Sequence, residues 1–315
     1  MTKEKMSTRW HSQILCFVCT FFWGAGYPVL KISYEYWAIE SSDVISKLLF
    51  AGIRFTIAGL LLILLSSMRK GLFAYPSRHN LPEVAALGLC QTVLQYGLLY
   101  VGMALTSGTK GSVLNQTNVF LLVLLTPLFY RDEKLTVRKV LGSVLGFSGI
   151  IIMNLRGLNF VLESGDIIVV ISSGFAAMGY LISKNMPAGS DPMVCTAYQQ
   201  LLGGLVLMII GIIGKGRLTV VCWQGICCLI FLIMVAAVAY TVWFYLLQHN
   251  DVSRVSIYKF LTPLVGVALS GLLLGEKVIT PANVTALILV CVGIVIVNGA
   301  PKRKSKCSAL NGNTK

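Results

Sequence analysis

The chain has 315 residues, of which 56% are hydrophobic and only 12% charged, and its mean hydropathy is +0.79; this balance excludes a water-soluble globular domain and points to an integral membrane protein. The formal charge of +14 comes from 26 Lys and Arg against 12 Asp and Glu, but the basic residues are scattered over short connections and both ends instead of forming a nucleic-acid-binding face. The nine Cys lie mostly inside apolar runs without ligand or disulfide spacing, so they read as small apolar residues.

Lys3, Lys5 and Arg9 precede an apolar run that ends in Trp-Gly-Ala-Gly-Tyr-Pro instead of a small-residue cleavage site, which predicts an uncleaved first span over 12–33. Apolar stretches of about 20 residues, the length that crosses a bilayer, follow at 44–67, 82–105, 108–130 and 136–155. The second half repeats the count at 164–184, 192–214, 220–248, 252–274 and 280–299. The expected fold is an all-α integral membrane protein of about ten transmembrane helices, with connections too short for another domain. Placing the N-terminus inside puts the basic clusters at 69–78, 131–139 and 302–306 on one side. This predicts a multi-pass protein of the cell membrane, bacterial inner or plasma, with both termini cytoplasmic and a basic, disordered tail over 300–315.

The halves 1–157 and 158–299 resemble each other when overlaid. GYPVLK at Gly26 to Lys31 matches GYLISK at Gly179 to Lys184, Gly59 answers Gly203, and Glu133-Lys134 followed by Thr136 answers Glu276-Lys277 followed by Thr280. Five spans in each half make the repeats antiparallel, so the expectation is two inverted five-helix repeats around a central cavity.

Three segments carry a family resemblance: WGAGYP at Trp23 to Pro28, AGIRF at Ala51 to Phe55, and FLTPLVGVALSGLLLGE at Phe260 to Glu276, in which Pro263 precedes the glutamate by thirteen positions. Through them the chain resembles the drug/metabolite transporter superfamily, in particular its ten-helix EamA-type permeases, over nearly its whole length. The first half departs from the pattern, with Phe120 where the proline would stand and Pro127 later. The resemblance implies a central cavity, substrates among amino acids, nucleotide-derived metabolites, sugars or drugs, and export as the direction.

Polar groups are costly in hydrocarbon unless paired or lining water, so their positions within the spans carry the functional argument. Ser112, Asn115 and Asn118 recur every three residues and fall on one helix face, where amides can bond either a solute or a neighbouring helix. In the Glu133-to-Glu276 register, Asn115 and Gln116 correspond to Tyr258 and Lys259. Lys259 has Pro263 four residues later, so a freed carbonyl and a kink are expected beside its ammonium. Arg54 falls near the centre of its span and must face protein or water, as a structural anchor or a ligand contact.

Trp23, Tyr27, Gln95, Tyr96, Tyr180, Gln199, Tyr240 and Trp243 complete the candidate substrate-binding set, as an aromatic wall with amides that packing alone would also explain. Arg54, Pro263, Glu133 and Glu276 are candidate structural or gating residues; the two glutamates lie at helix ends and suit a cap or charge pair.

All twelve acidic residues fall in loops or at predicted helix ends, and His11, His79 and His249 lie near span ends, so no proton relay through the membrane is visible. The chain lacks a phosphate-binding glycine loop, a metal-ligand His pair and an acidic cluster for a membrane transferase. No catalytic residue, metal, cofactor, ATP or nucleic acid is therefore expected. The partners expected are a small-molecule solute and membrane lipid, with a monomer or homodimer equally open. The sequence favours a secondary transporter that moves a small polar or amphipathic metabolite by alternating access. The competing reading is a non-transporting membrane sensor or assembly partner on the same bundle.

Overall fold

A computed structural model describes residues 3–106, 108–130, 133–155, 161, 163–187, 189–274 and 280–299. Glu276 and the tail 300–315 lie outside these. Among the described residues, ten helices are long and apolar enough to cross a membrane, and no strand occurs. They are α1 (Lys3–Tyr36), α2 (Val44–Lys70), α3 (Arg78–Ala104), α4 (Lys110–Phe129), α5 (Val137–Asn154), α6 (Ser164–Lys184), α7 (Pro192–Ile213), α8 (Trp223–His249), α9 (Val252–Leu272) and α10 (Pro281–Asn298). These bounds agree with the apolar runs to within a few residues, except that α1 starts earlier.

Side-chain caps fix several helix starts. Asp43 accepts the N–H of Ser46 at 2.9 Å ahead of α2, and Asp191 accepts that of Met193 at 3.0 Å ahead of α7. Thr136 and Thr280, matched in the two halves, cap α5 and α10 in the same way, through Lys139 N–H at 3.3 Å and Asn283 N–H at 3.2 Å. At the end of α2, Gly71 takes the left-handed conformation, φ 66°, that closes a helix without a Cβ clash. Lipid is the solvent for the outer faces: Leu60, Leu64, Ile209, Ile288 and Val295 are each at least half exposed, as water would disfavour and acyl chains do not.

Two tight seams frame the bundle. Between α2 and α7, a Cβ on Gly59 would sit 2.6 Å from the Leu201 nitrogen, so only glycine permits that backbone approach. Between α5 and α10, Gly142 and Gly293 face each other in the same manner, with the carbonyl of each 2.6–2.7 Å from a Cβ built on the other. Besides these seams, α1 packs on α8 and α9, and α3 and α4 pack on α6. Exchanging each helix for the one five later maps this set of contacts onto itself. Trp37, at the end of α1, donates its indole N–H to the Gly225 carbonyl at the start of α8 at 2.9 Å, and the Arg217 N–H bonds Ser46 Oγ at 2.8 Å. This end of the bundle, which also carries Lys47 and Lys110, is called the far end below. The near end carries Lys70, Glu133, Lys184 and Asp251.

Three helices are irregular where polar residues cluster. The helix of α4 breaks at Gln116, between segments Gly108–Asn115 and Thr117–Phe129. In α9 a 3-10 turn over Ile257–Phe260 separates Val252–Ser256 from Leu261–Leu274, with Pro263 just inside the second segment. Gln116 and Lys259, matched in the sequence, thus occupy the same irregular point of their helices. In α3 a π-helical turn spans Leu89–Leu94, a distortion found mainly at functional positions.

Candidate functional site

A cavity of about 450 Å³ lies among α1, α2, α3, α4, α8 and α9, with Tyr180 of α6 added. Its size falls within the range of small-molecule sites. The lining runs from Asn118, Arg54 and Lys259 in the interior to Tyr34 and Lys47 toward the far end. Most of the wall is apolar or aromatic, and among the described lining residues no Asp or Glu occurs.

Lys259 is 9% exposed. The 3-10 turn aims its ammonium into a cage of rings, 4.1 Å from the centroid of Tyr180, 5.0 Å from Trp23 and 5.9 Å from Trp243; it also donates a hydrogen bond to the Tyr180 hydroxyl. Ring faces attract a desolvated cation by about 2 kcal/mol each, but none neutralises its charge. Arg54 is 6% exposed and lies over Phe55 and Tyr96 at 4.4 and 5.7 Å. Its Nε–H has no hydrogen-bond partner. Two buried cations therefore line one cavity without a carboxylate among its described lining residues, an arrangement that costs several kcal/mol unless an anion arrives.

Unsatisfied polar atoms lie on the same surface. The Trp23 indole N–H, the Thr262 hydroxyl and the side-chain oxygens of Gln95, Asn115 and Asn118 are buried without a partner. Each such atom costs about 1–3 kcal/mol when its hydrogen bond is left unmade, and these five converge on one cavity. The helix break at Gln116 turns Asn115 and Asn118 inward, and the Asn118 amide N–H donates to the Asn115 carbonyl that the break releases. Tyr96 and Tyr240 close the floor with a 2.7 Å hydrogen bond between hydroxyls, and Trp23 packs edge-on against Tyr240 at 5.4 Å and Trp243 at 5.0 Å.

Nine of the residues singled out for binding from the sequence line this one cavity: Trp23, Tyr27, Gln95, Tyr96, Asn115, Asn118, Tyr180, Tyr240 and Lys259, and Arg54 joins them. Three do not. Gln199 is held away by α7, where its side-chain oxygen accepts from the Thr92 hydroxyl at 3.0 Å. Trp243 is 1% exposed behind Trp23, and Tyr258 is buried on the other side of the 3-10 turn from Lys259. Glu133 sits at the near end, accepting the Val252 N–H with both oxygens at 3.0 Å and pairing with Lys184 at 2.8 Å. The sequence reading passed over Lys47, Phe55, Tyr34 and Thr262. Of these, Phe55 adjoins Arg54 on α2; the charge of Arg54 is the signal that this helix faces inward.

Ten apolar helices around a largely aromatic cavity that holds two buried cations define a polytopic membrane protein of transporter type. The EamA-like transporter family model matches the chain twice, over residues 11–155 and 163–299, and the chain belongs to that family, within the drug/metabolite transporter superfamily. It is 27% identical over 301 residues to the uncharacterized transporter YvbV of Bacillus subtilis, covering 93% of each chain. It is likewise 27% identical over 289 residues to the uncharacterized inner membrane transporter YedA of Escherichia coli, covering 89% of this chain and 88% of that one. A solved crystal structure has the same fold, with a TM-score of 0.72 at 14% identity over 91% of this chain and 97% of its own.

Proposed function

We propose that this transporter is a secondary carrier, without catalytic activity, for a small amphipathic organic solute that bears a carboxylate or similar anionic group, alone or with an amine. The observation that carries the reading is the presence of Arg54 and Lys259 in the lining of one cavity with no acidic side chain among the described lining residues. A carboxylate between them would replace lost hydration with charge-assisted hydrogen bonds. The unpaired oxygens of Gln95, Asn115 and Asn118 would accept from an amine or hydroxyl, and the aromatic wall would cover the apolar remainder.

Alternating access between two inverted five-helix repeats, 1–157 and 158–299, is the proposed mechanism. It is supported by the matched sequence segments, by the contact pattern that survives exchange of each helix for its fifth successor, and by equivalent helix breaks at Gln116 and Lys259. With both termini in the cytoplasm of a cell that carries the protein in its boundary membrane, the cavity extends toward the outside, as it would in the release stage of export.

The test is solute flux into proteoliposomes, after a thermal-shift screen of the purified protein against amino acids, organic acids, nucleosides and sugars. Binding to the folded state raises the melting temperature. The expected hit carries an anionic group. A neutral sugar as the sole stabilising and transported solute would sink the charge argument, and an absence of flux for every stabilising solute would leave a sensor in place of a carrier.

A further inference from the structure

Toward the near end, two further hollows lie in line with the main cavity. The first, only about 10 Å³, shares Tyr180 and Tyr240 with the cavity and is otherwise lined by Gln91, Ser183, Thr196 and Gln199 together with Leu87, Trp243 and Phe244. It has room for roughly one water. The second, about 380 Å³, lies at the near-end surface between Lys70, His79, Asp191 and Cys195. Between these two hollows a small apolar cluster of Val84, Leu87, Met186, Cys195 and Phe244 closes the gap. A polar waist therefore stands between the two shared tyrosines and an apolar plug, on the way from cavity to surface.

The helices along this line are α3, α6, α7 and α8. Exchanging each for its repeat counterpart gives α8, α1, α2 and α3, four of the helices that line the open half of the cavity. The correspondence reaches side chains: with Gly59 matched to Gly203, Gln199 occupies the place of Phe55, which lines the open half. The π-helical turn of α3, Leu89–Leu94, holds Gln91 and Thr92 beside this waist, and Thr92 donates to Gln199. Buried glutamines in a membrane bundle are expensive unless they line a wet route or pair. Here they lie where the mirrored route would run.

We infer that the closed half of the solute path runs between α3, α6, α7 and α8, through a polar waist at Gln91, Thr196 and Gln199, shut by the Tyr180–Tyr240 constriction above and the Leu87–Cys195–Phe244 plug below. The inference rests on the carrier reading for the identity of what passes, but the route itself can be detected without a solute. When the protein opens at the near end, the plug parts and the waist meets water.

The experiment uses the full chain in sealed vesicles, with a membrane-impermeant maleimide added from the near-end side only. Thr196→Cys and Gln199→Cys report the waist. Val255→Cys, equally buried at 2% exposure in the near-end part of α9, is the control off the route. Labelling is counted above that of the parent chain, in which Cys195 and the other native cysteines remain. The expected result is labelling of both waist positions roughly tenfold faster than of Val255→Cys, and slower when Phe244→Trp enlarges the plug. Waist positions as inert as Val255→Cys, or Val255→Cys labelled faster, would overturn the route. If the waist labels as expected while no solute crosses in the flux assay, the route stands and the carrier reading falls. Gln91→Cys on α3 supplies an independent waist position should either α7 variant fail to fold.

Discussion

At the near end, Lys184 faces Glu133 at 2.8 Å, and Lys139 faces Glu133 at 3.8 Å and Asp251 at 3.4 Å. In the cavity, Arg54 and Lys259 face rings and amides instead. Both places gather cations inside the bundle or at its edge, yet among the described residues only the near end supplies carboxylates to face them. The near-end cluster also ties separate elements together: Glu133 follows α4, Lys184 ends α6, and Asp251 with the Val252 N–H begins α9. Its charges belong to structure. Those of the cavity face no carboxylate among the described lining residues, and on the proposed reading an anionic solute supplies one.

The largest expected effect sharpens that contrast. Glu133→Ala takes from Lys184 its carboxylate partner at 2.8 Å and from the Val252 N–H its acceptor, leaving Lys139 with Asp251 alone, and breaking a buried pair from one side costs about 3 kcal/mol. The detergent-purified variant should melt well below the parent. Lys259→Met, by contrast, removes a buried charge that lacks an anionic partner and keeps the volume, so its unliganded melting temperature should match or exceed the parent's. A large loss of stability in Lys259→Met would erase the distinction between the two places.

Solute binding gives the next effect. A charge-assisted hydrogen bond to a carboxylate contributes about 1.5–3 kcal/mol, so Lys259→Met should weaken binding of an anionic solute roughly 10- to 100-fold, read as lost thermal stabilisation at fixed solute concentration. Asn118→Ala removes one neutral acceptor and should cost about 1 kcal/mol in the same assay. If Asn118→Ala mattered more than Lys259→Met, amide recognition rather than charge would dominate the site.

The smallest effect is a pH dependence confined to the near end. Burial, with Asp251 alongside, pushes the Glu133 carboxyl up to about 7, against the pull of Lys184. Lys139, Arg254 and the Tyr130 hydroxyl are the other titratable groups around the pair. Because the folded value lies above the ordinary 4.5, the folded protein holds a proton that the unfolded chain releases. The contribution of Glu133 to stability is then fullest below 4.5 and declines as pH rises through about 7. The melting-temperature difference between parent and Glu133→Gln, followed from pH 4.5 to 8, should drift in that direction; a flat difference would show that the proton is not held.

The segments WGAGYP, AGIRF and FLTPLVGVALSGLLLGE carried the family, while hydrophobic runs of bilayer length determined the ten spans, because in lipid every backbone group must be satisfied within a helix and length alone then sets the element. Interior polar residues were legible as candidates for the same reason: a lysine, an arginine and clustered amides in hydrocarbon demand an explanation. Their sorting was not legible. Gln95 and Gln199 read alike as buried amides, yet one faces the cavity and the other bonds Thr92 across the α3–α7 contact. Trp23 and Trp243 touch each other, and only Trp23 reaches the cavity. Rotation of each helix about its axis, the breaks at Gln116 and in α9, and the π-turn of α3 decide which side chains converge, and these follow from packing against neighbours distant in the chain. The sequence by itself determined what kinds of group lie inside the membrane; the tertiary structure decided which of them were left without a partner.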